Sequence, residues 1–354
     1  MKKKVLTAAV AALVAVPFAA SADTTLFGQL HTSIDVLSTD SGANDSAIAV
    51  SSNTSRIGVK GAHDFGNGLK GVYHAEWGIS GSGDEKNLNS RNTFVGLAGG
   101  FGTVLLGKHD TPLKIVGRKA DLFWSTQLGQ NRSLTHPMDN GVPGQGWDLR
   151  APNVIAYVSP KLGPVTIIAA YVTDHTLAGG SAPIKENNDN DAVSALAMGQ
   201  IGPVFAAVGY EQHNAAGAAD SPTALRVTLT GNVGPVKLVG FYQQAKDQGF
   251  IAGNDRDVYG VGASFKAGSN TFKGQVYQAD NNDNLGADNG ATLIAVGIDH
   301  ALAKNTQVYA QYAQMDNEAN ANFALGGAGH GTNTKSGANG EVISGISLGI
   351  RLKF

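Results

Sequence analysis

The sequence predicts an all-β chain closed on itself as a sixteen-stranded antiparallel transmembrane β-barrel. Three observations carry this expectation. Apolar and polar residues alternate with a period of two almost throughout. Short turns alternate strictly with long polar connections. The composition also departs from that of a soluble domain: of 354 residues, 15% are charged, 47 are Gly and none is Cys. An ordinary globular domain carries about 25% charged residues and about 7% Gly.

The same figures exclude other classes. No run of 18 apolar residues lies beyond the N-terminus, which removes a helical membrane protein. Zero Cys removes a disulfide scaffold, a thiolate metal site and a Cys nucleophile. A formal charge of −2 argues against a nucleic-acid partner.

Residues 1–22 read as a cleaved signal peptide. Lys2, Lys3 and Lys4 precede an apolar stretch from Val5 to Ala20, and Ala20-Ser21-Ala22 supplies the small-residue cleavage triplet. The barrel domain is then 23–354, formally −5 once three lysines are removed.

Strand after strand shows the period of two. Leu26, Leu30, Ile34 and Val36 alternate with Gln29, His31, Ser33 and Asp35. Ile57 and Val59 alternate with Arg56 and Lys60, and Tyr73, Ala75 and Trp77 with His74 and Glu76. Leu225, Val227 and Leu229 alternate with Arg226, Thr228 and Thr230. Such alternation belongs to strands with unlike faces. The best helical candidate lies between Pro112 and Gln130.

Gly-Pro punctuates the strands at Gly163-Pro164, Gly202-Pro203 and Gly234-Pro235. Further turns fall at Asp64–Leu69, Gly99–Gly102, Ala267–Asn270 and Ala301–Asn305, seven in all. Eight longer polar segments lie between them, at 38–51, 81–89, 110–150, 175–190, 215–220, 247–255, 281–289 and 317–339. Long loops at one end and short turns at the other are the pattern of a transmembrane barrel. A closed barrel is also the one β structure that satisfies its backbone in lipid. At the C-terminus, Ile346, Leu348, Ile350, Leu352 and Phe354 share one face, suited to lipid and an aromatic girdle.

Taken in order, Thr25-Leu26-Phe27-Gly28-Gln29-Leu30, Ser55-Arg56-Ile57-Gly58-Val59-Lys60-Gly61, Ser90-Arg91-Asn92-Thr93-Phe94-Val95-Gly96-Leu97, Leu106-Gly107-Lys108 and Asn153-Val154-Ile155-Ala156-Tyr157 resemble the general trimeric porins of Gram-negative outer membranes. The resemblance runs over essentially the whole mature chain. It implies a homotrimer whose third long loop, 110–150, folds into the barrel and narrows it. Trp124, Leu122, Phe123 and Leu128 make that loop apolar enough to pack on an inner wall. The family's basic ladder carries over to Arg56, Arg91 and Arg150, with Glu76 among them and Lys108 where an Arg is common. Parity supports Arg56, Lys60 and Glu76 independently. Arg118, Lys119 and Asp121 are the expected loop contribution, with Asp121 the first choice for the facing acid.

Opposed charges across a water-filled gap orient solutes and bias which ions enter. Many acids fall in expected external loops, among them Asp45, Asp84, Glu85, Glu186 and Asp189. The local excess of cations therefore predicts a preference for anions, because screening limits charge effects to about 8 Å. The expected function is passive diffusion of small hydrophilic solutes and ions across the outer membrane, with a solute-specific channel as the alternative. An enzyme is not expected. Gly345-Ile346-Ser347-Leu348-Gly349 matches a nucleophile elbow, but it lies inside a strand with no His or Asp after it. No cofactor, metal or nucleic acid is called for.

Overall fold

The computed structural model describes residues 24–40, 46–82, 88–136, 146–175, 190–326 and 338–354. The expected signal peptide and the loop acids Asp45, Asp84, Glu85, Asp139, Glu186 and Asp189 lie outside the described residues.

The strands are β1 (Thr25–Thr39), β2 (Ser46–Ser52), β3 (Arg56–Gly66), β4 (Leu69–Gly78), β5 (Asn89–Gly99), β6 (Gly102–Asp110), β7 (Arg150–Val158), β8 (Val165–Val172), β9 (Ala192–Ile201) and β10 (Val204–His213). They continue as β11 (Thr223–Val233), β12 (Val236–Lys246), β13 (Arg256–Ala267), β14 (Asn270–Ala279), β15 (Ala291–Ala303), β16 (Thr306–Asn317) and β17 (Val342–Lys353). Apart from β2 and β3, which both pair with β1, each strand pairs antiparallel with its sequence neighbour, and β17 pairs with β1 to close the wall. The backbones of Gly28 and Phe354 exchange two hydrogen bonds at that seam.

β2 and β3 are two halves of one wall strand, so the wall has sixteen strands. Both pair with β1, and the step between them is made by Asn53-Thr54-Ser55. Thr54 takes φ 55° there. Side chains replace the missing ladder bonds: the Gln29 amide donates to the Thr54 carbonyl at 3.2 Å, and Ser55 Oγ donates to the His31 carbonyl at 3.0 Å. The first long loop is therefore shorter than the expected 38–51, because β1 reaches Thr39 and β2 begins at Ser46.

The seven turns fall where the sequence puts them. At Asn67-Gly68 both residues have positive φ, 52° and 77°, as a two-residue type I′ hairpin requires. At Gly202-Pro203 and Gly234-Pro235 the Gly takes φ 59° before a Pro fixed near −65°. That is the type II′ form, which also matches the twist of the flanking strands.

Burial inverts the pattern of a soluble protein. Leu26, Leu30, Ile34 and Val36 are exposed, while Gln29, His31, Ser33 and Asp35 on the alternate face of β1 are buried. Exposed aromatics gather at the two ends of this apolar surface. Phe65, Phe101, Phe265, Phe272 and Phe354 lie toward the short turns; Trp77, Tyr210, Tyr259 and Tyr312 lie toward the long loops. Two girdles around an apolar band are the mark of a wall facing lipid.

The connection from β6 to β7 carries helices α1 (Pro112–Ala120) and α2 (Arg132–Thr135). It packs on the inward face of the wall. Thr228 Oγ donates to the Val116 carbonyl at 3.0 Å, and the Gln311 amide to the Leu128 carbonyl at 3.1 Å. Phe123, Leu128 and Leu134 are fully buried with Leu293, Met315 and Ile343 of the inner wall. A second loop joins them. Phe323 and Leu325, from the segment expected to be external at 317–339, are buried in the same cluster, and Ser133 Oγ donates to the Gly326 carbonyl at 3.0 Å.

Candidate functional site

The site grows from the long-loop ends of five neighbouring strands, β3 to β7. Arg56 opens β3, Glu76 lies near the end of β4, Arg91 near the start of β5, Asp110 closes β6 and Arg150 opens β7. Two irregularities in register bring them together. Ala75 pairs with Thr93 but Trp77 with Ser90, so Arg91 and Asn92 both oppose Glu76. Such a bulge lets two consecutive residues serve one site. Arg91 Nε accordingly donates to Glu76, while Asn92 Oδ1 accepts from Arg150 Nε at 2.8 Å. A second shift between Gly107 and His109 leaves Asp110 directly opposite Arg150.

Two carboxylates organise the cations. Arg56 Nε lies 3.4 Å from Glu76, which Arg91 also holds, and His74 Nε2 is 3.9 Å from the same carboxylate. Arg150, Lys114 and Arg118 converge on Asp110 at 3.1, 3.1 and 3.5 Å. Five permanent or titratable cations of the arginine and lysine type thus face two carboxylates. Burial lowers the Lys114 ammonium to about 7, against the opposing pull of Asp110.

The remaining expected residues fall around this strip. Lys60 lies over the Phe27 ring, 5.3 Å from its centroid, and Lys119 over the Phe205 ring at 5.9 Å. Lys108 stands opposite Thr93 on β5, beside the irregular step of β6. Asp121 does not join the arginines. Its carboxylate accepts the Phe123 amide at 2.9 Å, the Gln275 side chain at 2.9 Å and the Asn131 amide at 3.1 Å. Burial pushes this carboxyl up to about 6, against those three donors. Asp121 thus ties the loop to itself and to β14, and Asp110 is the loop-side acid that meets the cations. The sequence held a signal for Asp110 in its spacing of four from Lys114.

A further anchor holds the loop to the wall. Arg226 is fully buried and pairs with Asp148. It also donates to the carbonyls of Leu113 and Thr135, each at 3.3 Å. Burial raises the Asp148 carboxyl, but Arg226 outweighs this and holds it at about 2.

A closed wall with an apolar outside, two aromatic girdles and an inward strip of opposed charges defines a membrane pore of the β-barrel class. The chain belongs to the Gram-negative porin family, whose family model matches residues 9–320. Outer membrane porin protein 32 of Delftia acidovorans is 31% identical over 371 residues, covering all of both chains. The anion-selective porin from Comamonas acidovorans superimposes with a TM-score of 0.79 at 28% identity, over 94% of this chain and 100% of that one. OmpT of Vibrio cholerae in its trimer form gives a TM-score of 0.68 at 17% identity, over 94% and 100%, a likeness of fold. The protein is an outer-membrane channel for passive diffusion and not an enzyme.

Proposed function

We propose that the channel prefers anions and that Arg56, Arg91, Arg118, Arg150 and Lys114, facing Glu76 and Asp110, set this preference at the narrowest part of the lumen. The observation that carries the reading is the excess of cations over carboxylates within direct contact of one another. Lys60, Lys108 and Lys119 extend the positive potential along the path. Local field outweighs the net negative charge of the chain, because charges more than about 8–10 Å away are screened at working salt. The likeness to an anion-selective porin supports the same sign.

Asp121 contributes to the loop's shape in this reading and not to the field. The channel works as a homotrimer embedded in outer-membrane lipid, reached after removal of residues 1–22. Small hydrophilic solutes and ions pass by diffusion, oriented by the field between the strip and the loop. The test is the reversal potential of single channels in a KCl gradient. The expected sign is that of an anion-preferring pore, and Arg56→Gln, Arg91→Gln and Arg150→Gln together should move it toward cations. A wild-type channel that already prefers cations would refute the assignment.

A further inference from the structure

Beside the guanidinium strip runs a row of aromatic and imidazole rings that ion conduction does not use. Phe27, His74, Phe94 and His109 come from β1, β4, β5 and β6, and consecutive ring centroids lie 5.1, 5.2 and 5.3 Å apart. That spacing is close to the separation of neighbouring strands. His74 and Phe94 stack with an interplanar angle of 6°. The outer two rings turn away from this stacked pair, Phe27 by 39° to His74 and His109 by 60° to Phe94, so the row offers both ring edges and ring faces.

Phe27 reaches the row by crossing a strand. It pairs with Gly58 of β3, and a Cβ at Gly58 would lie 2.6 Å from the Phe27 ring. Glycine there leaves the passage open, so that the ring meets His74 on the far side. All four rings are only half-buried. Each ring therefore keeps part of its surface open.

The row touches the charged strip directly, since His74 is in contact with the Glu76 that Arg56 and Arg91 hold. We infer that the lumen carries a binding subsite for aryl carboxylates, in which the guanidinium strip takes the carboxylate and the row of rings takes the aryl ring. Ring edges are electropositive and ring faces electronegative, so an aryl ring laid against this row of variously tilted rings gains edge-to-face contacts. A saturated ring of the same size has no such face.

The inference rests on the anion-preferring reading, and the experiment separates the two. The full channel is reconstituted in planar bilayers at pH 7, and chloride current is recorded while benzoate or cyclohexanecarboxylate is added. Both are anions at that pH and similar in size. Benzoate should halve the current at a concentration about three- to tenfold lower. Phe27→Leu combined with Phe94→Leu should bring the two concentrations together. Equal potency on the wild-type channel, or greater potency of cyclohexanecarboxylate, overturns the subsite without need of any variant. A benzoate preference that survives in the double variant also overturns it. The chloride reversal potential, read in the same bilayers, reports on the anion preference alone. A channel that prefers chloride yet ignores the aromatic ring would defeat only the subsite.

Discussion

Arg226 shows how a single side chain outside the cationic strip can govern it. The guanidinium joins Leu113 and Thr135 through their carbonyls and Asp148 through its charge, so three points of one loop meet on β11. Removing it leaves the buried Asp148 carboxylate without its charge partner, a change that costs about 3–5 kcal/mol. Arg226→Met should lower the unfolding midpoint in detergent and raise the current noise of open channels. Adding Asp148→Leu should restore most of the midpoint, since no charge is then stranded. Lys114 offers a second test at this scale. Its ammonium titrates near 7, so its positive charge is present below that pH and lost as pH rises through it. Chloride preference should therefore decline between pH 6 and pH 8.5. Lys114→Arg keeps its charge over this range and should flatten the profile; an unchanged slope in that variant would remove Lys114 from the account.

Among the elements, the connection from β6 to β7 does the most to shape the lumen. Its apolar middle is buried on the inner wall through Phe123 and Leu128, and burying one such side chain contributes about 1.5–3 kcal/mol. Deleting Leu122–Asn131 should raise single-channel conductance and relax size exclusion, measured by the uptake of neutral sugars of graded size. The position and apolarity of this loop were legible, because Trp124, Phe123 and Leu128 have no reason to lie in water. Alternation alone also placed Arg56 and Glu76 on one face. It could not place Arg91 or Arg150, because the bulges opposite Glu76 and beside Gly107 break the parity on which such reasoning depends. Asp121 misled for a related reason. Three hydrogen-bond donors within reach turned its carboxylate back on its own loop, and nothing in the spacing announces them. Arg226 was visible as the polar residue of an alternating strand, but its partner lies 78 residues away. The inward turn of Phe323 and Leu325 was hidden among Asn, Gly and Ala.

For the molecule as a whole, the exposed belt is the largest apolar surface. It is shared between lipid and neighbouring barrels if the channel is a trimer. Small outward side chains on several strands allow two walls to approach closely. Cross-linking in mild detergent should give a three-subunit band that heating converts to monomer. A monodisperse monomer with full channel activity would rule that assembly out. The barrel's strand count needed no such experiment to read. Seven tight turns, each with its own Gly or Asn chemistry, fixed it from the sequence, while the break at Asn53-Thr54-Ser55 escaped notice because both halves alternate normally.

The seam between β1 and β17 has a consequence for biogenesis. The hydroxyls of Ser38 and Ser344, 3.2 Å apart across it, are separated by 306 residues of chain. The first wall strand is thus synthesised long before its second neighbour exists. Until β17 arrives, β1 presents a free edge, and an unpaired edge invites pairing with the wrong chain. Contacts this remote in sequence also close slowly. Folding of this wall is accordingly an event that follows translation, and the waiting chain depends on being kept from others of its kind until its two ends can meet.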